Sequence, residues 1–135
     1  MDELNAKKIH GIERLKYIME RLRNPENGCP WDIEQTYESI APYTIEEAYE
    51  VADAIDHKDM AALKDELGDL LFTCVNLARK LDIDPETALR HGNAKFERRF
   101  KAIEVMLAAE GKTPETSNLE EMDALWDRAK VENEV

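Results

Sequence analysis

Cysteine is scarce: Cys29 and Cys74 are the two in 135 residues. Long apolar runs are missing, and none approaches the roughly 20 residues of a membrane span. The opening Met1-Asp2-Glu3-Leu4 lacks both the basic and the apolar region of a signal peptide. A cytoplasmic setting is therefore expected, with both cysteines as thiols. Glycine and proline number five each. There is no P-loop, no Gly-rich dinucleotide turn and no Ser/His/Asp arrangement, so bound phosphates would have to be held by side chains and metal. No stretch alternates like a strand, and there is no repeat or low-complexity segment. Positive charge is also in deficit, with 18 Lys and Arg against 30 Asp and Glu, a net charge of -12. Such a chain repels nucleic acid and anionic membranes, and neither is expected as a partner. A nucleotide is still allowed, because a bound cation reverses the field locally.

What the sequence does contain is helical periodicity. Hydrophobic residues make up 43% of the chain. They recur at helical spacing over residues 6–23 (Ile9, Ile12, Leu15, Ile18, Met19, Leu22). A loop, Cys29-Pro30-Trp31-Asp32, follows, with Trp31 expected to pin it onto the bundle. A second helix is expected over 36–56, interrupted near Pro42 and restarting at the capping-box pattern Thr44-Ile45-Glu46-Glu47. Its apolar stripe is Ile45, Ala48, Tyr49, Ala52 and Ile55. A third helix covers 59–81, with Leu63, Leu67, Leu70, Leu71, Cys74, Val75 and Ala78 as its stripe. Asp84-Pro85 starts a fourth, which Gly111 stops. Ser117 or Asn118 caps a last helix through residue 131. The expected fold is all-α, an antiparallel bundle of about five helices. It forms one domain, 1–135: an N-terminal helix and loop over 1–35, a core over 36–131 and a frayed tail over 132–135. Helices this long in so small a domain point to a dimer.

The sharpest pattern is Glu46-Glu47-Ala48-Tyr49-Glu50 followed by Glu66-Leu67-Gly68-Asp69. Residues three or four apart share a helix face, so Glu47 pairs with Glu50 and Glu66 with Asp69. A hairpin through His57-Lys58-Asp59 lets the two pairs meet. Four converging carboxylates repel unless a cation sits among them. Hard cations such as Mg²⁺ want oxygen ligands, and they polarise phosphoryl groups and activate water. The same residues also suit an ordinary exposed acidic face. Two details favour a site. Gly68 costs about 1 kcal/mol inside a helix unless a close helix approach needs it. Asn76, two turns after Asp69, is a polar amide among apolar residues; if buried it needs a partner, a bound substrate or a carboxylate, and it is a candidate substrate-binding residue. His10, His57 and His91 are scattered without metal-ligand spacing, and no Glu-x-x-His occurs, which disfavours iron and zinc.

Further on, Lys95-Phe96-Glu97-Arg98-Arg99-Phe100 places Lys95 one turn from Arg98 and Arg99, with Phe96, Phe100 and Ile103 as the buried side. Such a face suits polyphosphate, and equally a solvated salt-bridged surface. Trp126, one turn before Lys130, suits base stacking or packing. Cys29 has no activating base near it in sequence, and both cysteines are read as structural.

Several of these segments together resemble MazG proteins. They are Gly28-Cys29-Pro30-Trp31-Asp32 with Glu34-Gln35-Thr36, Ile40-Ala41-Pro42-Tyr43-Thr44, Glu46-Glu47-x-x-Glu50 with Glu66-x-x-Asp69, the segment Asn93 to Phe100, and Met122-x-x-x-Trp126. The resemblance covers nearly the whole chain. It implies an all-α nucleoside triphosphate pyrophosphohydrolase that releases monophosphate and pyrophosphate. It also implies dependence on Mg²⁺, with Mn²⁺ as a substitute, and an assembly built on a dimer. Carried over by position, Glu47, Glu50, Glu66 and Asp69 are the metal ligands, and Glu46 is a supporting carboxylate or water-activating base. Lys95 and Arg99 hold phosphates, with Arg98 a further candidate. Trp126 and Lys130 lie near the nucleoside. Many MazG proteins hold two tandem domains. Here the first half resembles the opening domain of such a protein, and the part from about Glu66 resembles the closing one. The alternative open at this point is a helical nucleotide- or protein-binding module with a degenerate metal site.

Overall fold

The computed structural model describes residues 8–132. Among them are six α-helices: α1 (Gly11–Arg23), α2 (Pro30–Glu34), α3 (Tyr37–Asp56), α4 (Met60–Lys80), α5 (Pro85–Ala108) and α6 (Leu119–Glu132). One 3₁₀ turn spans Pro114–Thr116, and the described residues contain no strand. No described helix is long and apolar enough to cross a membrane. The chain divides into two compact units, one ending at Glu86 and one beginning at Thr87.

Helix starts follow local chemistry. The beginning expected for α1 near residue 6, and residues 133–135 of the expected tail, lie outside the described residues. Within them α1 begins only at Gly11, because Lys8 (φ 48°) and Gly11 (φ 58°) take left-handed backbone and His10 is extended. Ile9 therefore precedes the helix rather than joining its stripe. Cys29-Pro30-Trp31-Asp32 is not a loop but enters a short helix, with Pro30 at its first position. Gly28 makes that entry possible. A methyl group there would collide with the carbonyl oxygens of Leu22 and Asn24. Two backbone bonds close the corner, Gly28 N–H to Asn24 O and Cys29 N–H to Leu22 O, each 2.8 Å.

α3 is one uninterrupted helix, contrary to the break expected at Pro42. Its cap is Thr36, whose hydroxyl accepts from Ser39 N–H at 3.2 Å while Ser39 Oγ accepts from Thr36 N–H at 3.0 Å. Pro42 lies inside the helix, past its first turn; it leaves the Glu38 carbonyl without its usual helical donor, and the helix continues through it. Thr44 caps nothing. Its hydroxyl donates back to Ile40 O at 3.5 Å. The turn to α4 uses Lys58 at φ 53°, and Asp59 caps α4 by accepting from Ala62 N–H at 3.1 Å.

The first unit closes around Met19, Ile40, Ala54 and Val75, together with a buried ion pair. Asp32 is 3% exposed. Nη2 of Arg79 donates to its two oxygens at 2.8 and 3.0 Å, and Lys80 Nζ donates to its carbonyl at 2.6 Å. Arg79 Nη1 also donates to Met19 O at 3.0 Å, so one guanidinium ties α1 and α2 to α4. Trp31 is 72% exposed and pins nothing; Asp32, its neighbour, is the anchor.

The second unit packs Ile103 and Leu107 of α5 against Ala129 of α6, flanked by Met106, Met122, Leu125 and Trp126. Gly111 (φ 72°) ends the α5 segment, as its position predicts, with Lys112 N–H reaching back to Leu107 O at 2.9 Å. Asn118, rather than Ser117, caps α6 by accepting from Glu121 N–H at 2.9 Å. Ser117 Oγ instead donates to Glu121 Oε1 at 2.5 Å.

Asp32→Ala leaves two buried cations without their counter-charge, and removing one partner of such a pair costs about 3–5 kcal/mol. A urea titration should show a midpoint lowered accordingly. An unchanged midpoint would mean the pair does not hold the unit together.

Candidate active site

The α3–α4 hairpin brings the acidic residues together. One carboxylate oxygen each from Glu47, Glu66 and Asp69 lies within 4.8 Å of the others. The hairpin achieves this because Glu47 sits on the inner face of α3 with Val51 and Ala54, while Glu66 and Asp69 share a face of α4. Glu47 and Glu66 are half-buried, and Asp69 is exposed.

Electrostatics register the crowding. Desolvation raises the Glu47 carboxyl above its ordinary value, and the charges of Asp69, Glu46 and Glu50 raise it further. Glu66 is raised the same way, first by desolvation, then by Glu50, Asp69, Glu47 and Asp65. Glu50 thus belongs to the same field, though it stands outside the tight triad. It is exposed and lines a shallow groove with Glu46, Ile45 and Tyr49. The arrangement suits a hard divalent cation: the donors are all carboxylate oxygens, they come from two helices, and each raises the free energy of the others while no positive charge is present.

Beside the triad lies a cavity of about 380 Å³, of which Glu47 and Asp69 form part of the wall. Trp31, Tyr43 and Phe72 give it aromatic surface, and Gln35, Thr73 and Asn76 give it polar surface. Asn76 therefore shares the Asp69 face, as its spacing predicts. The partner that its amide needs is Arg79, whose Nη2 lies 3.1 Å from Asn76 Oδ1. Trp31, Gln35 and Arg79 are absent from the sequence-derived set of site residues. The signals were an arginine three residues after Asn76, on the same face of the helix, and a lone aspartate after Cys-Pro-Trp.

Apart from the backbone of α4 itself, no atom of the described residues lies within 4 Å of where a side chain on Gly68 would begin, so no other described helix approaches it closely. The apolar stripe expected to bury α3 is also turned outward: Ile45, Ala48, Tyr49, Ala52 and Ile55 are all exposed, Tyr49 at 72%. On α4, Leu67, Leu71 and Cys74 are exposed too, while Val75 is buried and Leu63, Leu70 and Ala78 are half-buried. The inner face of α3 is given to Glu47, which is why its apolar stripe points elsewhere.

In the second unit, Lys95 and Arg98 are exposed and Arg99 is buried. The Arg99 guanidinium lies over the Trp126 ring, 5.7 Å from its centroid. The Phe96 ring lies 5.5 Å from the Trp126 ring and 5.9 Å from the Phe100 ring, yet Phe96 remains 56% exposed rather than buried. Trp126 is half-buried against the Ile103–Leu107 core, and Lys130 is exposed, 3.9 Å from Asp127.

Comparison with known proteins bears on this geometry. The family model of the MazG nucleotide pyrophosphohydrolase domain matches residues 35–103, a span that contains the whole α3–α4 hairpin. The nucleoside triphosphate pyrophosphohydrolase of Escherichia coli K12 is 45% identical over 128 residues, 92% of this chain and 46% of that protein. The nucleoside triphosphate pyrophosphohydrolase/pyrophosphatase MazG of Thermotoga maritima is 42% identical over 104 residues, 76% of this chain and 38% of that protein. The chain therefore spans about half the length, or less, of these curated relatives. The crystal structure of a mazG-related protein from Thermotoga maritima superposes with a TM-score of 0.62 at 30% identity, covering 87% of this chain and 97% of that one.

Because the carboxylates of the triad repel one another, Asp69→Asn should raise the thermal midpoint of the chelator-treated protein. The same variant should lose the stabilisation that added Mg²⁺ or Mn²⁺ gives the unaltered chain. Scanning calorimetry reads both effects. A variant still stabilised as strongly as the unaltered chain would place the cation elsewhere.

Proposed function

Because this chain belongs to the MazG nucleotide pyrophosphohydrolase family, we propose that it hydrolyses nucleoside triphosphates between the α and β phosphates, releasing monophosphate and pyrophosphate. The observation that carries this reading is the Glu47–Glu66–Asp69 triad, two members of which, Glu47 and Asp69, form part of the wall of a cavity with aromatic sides. A metal-dependent hydrolase needs a place for cationic charge beside a place for a nucleoside, and this geometry supplies both.

Glu47, Glu50, Glu66 and Asp69 are the proposed cation ligands. Mg²⁺ held by them, or Mn²⁺ in its stead, supplies charge that neutralises phosphate oxygens and acidifies water. The chain's own residues do the rest. Glu46, exposed beside Glu50, is the proposed acceptor of the proton from the attacking water. Lys95 and Arg98, exposed on α5, and Arg99 beside them are the proposed phosphate holders, stabilising charge that develops on pyrophosphate. Trp126 and Lys130 are the corresponding candidates near the nucleoside. The exposed Trp31 and the neighbouring Tyr43 and Phe72 offer faces on which a base can stack. In this reading the chain acts as one functional domain, with 36–131 as the catalytic core, and clears non-standard or surplus nucleotides.

A homodimer, alone or paired into a dimer of dimers, is part of the proposal. Ile45, Tyr49, Ile55, Met60, Leu67 and Leu71 are large apolar side chains left exposed on the hairpin that carries the acidic triad. Soluble monomers rarely leave so much contiguous apolar surface open. Gly68, with open space before it, allows a second helix to come close.

Two experiments test these claims. Glu50→Ala and Asp69→Ala should each lower pyrophosphate release by about 100-fold or more with Mg²⁺ present, leaving the helical circular dichroism intact. Product identification across a nucleotide panel checks which bond breaks. Turnover retained by both variants, or free phosphate as the main product, would remove the assignment. Leu71→Glu should shift sedimentation toward the monomer, and a sedimentation coefficient equal to that of the unaltered chain would move the interface off this face.

A further inference from the structure

We infer that Asn76 reads the base of the substrate as a hydrogen-bond donor, and that Arg79 is the residue that fixes it in that role. A guanidinium has donors and no acceptor. Arg79 is held in place by Asp32 at 2.8 and 3.0 Å and by the Met19 carbonyl at 3.0 Å. Its Nη2 lies 3.1 Å from the Asn76 side-chain oxygen. Turning the amide over would set NH₂ against a donor, so the oxygen must stay toward Arg79. The amide nitrogen has no partner among the described residues. It is thereby left to the cavity that Asn76 lines together with Trp31, Tyr43 and Phe72.

An aromatic-sided cavity with a fixed N–H donor selects by the edge of the base. An exocyclic oxygen accepts from Asn76, whereas an exocyclic amino group meets it donor to donor. The substrate class that follows is nucleotides of oxo bases, the 6-oxopurines and 4-oxopyrimidines, in preference to their 6-amino and 4-amino counterparts. Because Glu47 and Asp69 form part of the same wall, a base held here has its phosphates within reach of the triad. Arg79 touches no substrate in this account and is a positioning residue. The inference rests on the proposed function in one respect: the cavity's occupant is taken to be the nucleoside of the substrate.

The test uses monophosphates, which the proposed reaction does not cleave, titrated into the full chain by calorimetry in Mg²⁺ buffer. IMP should bind about tenfold more tightly than AMP, and UMP than CMP, the discrimination expected of one satisfied against one opposed hydrogen bond. Asn76→Leu, similar in shape but without a donor, should lose that preference. Should Asn76→Leu fail to fold, the preference of the unaltered chain decides alone. Equal affinity, tighter binding of the amino bases, or an undiminished preference in a folded Asn76→Leu overturns the inference. Pyrophosphate release is measured separately. Preference without release keeps this inference and removes the proposed function, whereas release without preference does the reverse.

Discussion

Mutual repulsion among carboxylates governs how this hairpin is built. Glu47, Glu66 and Asp69 are held within 4.8 Å of one another by two helices joined through a three-residue turn. Nothing in a folding chain favours that approach on electrostatic grounds. Glu47 and Glu66 are both pushed toward the protonated form, by desolvation first and by neighbouring acidic groups second. The hairpin tolerates the strain because its other contacts are strong. Asp59 caps α4, Thr36 and Ser39 cap α3, and Ala54 and Val75 pack on its inner side. An arrangement that raises its own energy in this way fits a site completed from outside by positive charge.

The same constraint explains the outward apolar stripe. A helix has one face to give to its neighbour, and α3 gives part of its inner face to Glu47. Ile45, Tyr49 and Ile55 are displaced to the opposite side, where a second copy of the chain is the proposed cover. Meanwhile the Asp32–Arg79 pair does two tasks with one guanidinium. It ties the short α2 helix, and Trp31 with it, to α4, and it orients the amide of Asn76 beside the cavity. Stability of the first unit and the shape of the cavity are therefore coupled through a single side chain.

The sequence made the helical class readable because apolar periodicity and end signals such as Asn118 and Gly111 are local. The convergence of Glu47 with Glu66 and Asp69 was readable too, since it needs only helical spacing and a short hairpin. Two features were not. Pro42 reads as a break because proline lacks the helical N–H, yet the helix capped at Thr36 runs through it to Asp56. Trp31 looked like an anchor because large aromatics usually bury, whereas the buried group is Asp32, whose partners are 47 and 48 residues away in sequence. Both depend on packing that no local pattern names. The basic residues of α5 were legible as a face, and the burial of Arg99 against Trp126 was not, because it depends on how α5 meets α6.

The central claim is that the carboxylates of the α3–α4 hairpin hold a hard cation. Anomalous scattering from a crystal grown with Mn²⁺ tests it most directly. The account predicts a peak within bonding distance, about 2.0–2.3 Å, of oxygens from Glu47, Glu66 and Asp69. A map with no peak there at millimolar Mn²⁺, or with its peaks only on other acidic surfaces, would contradict it.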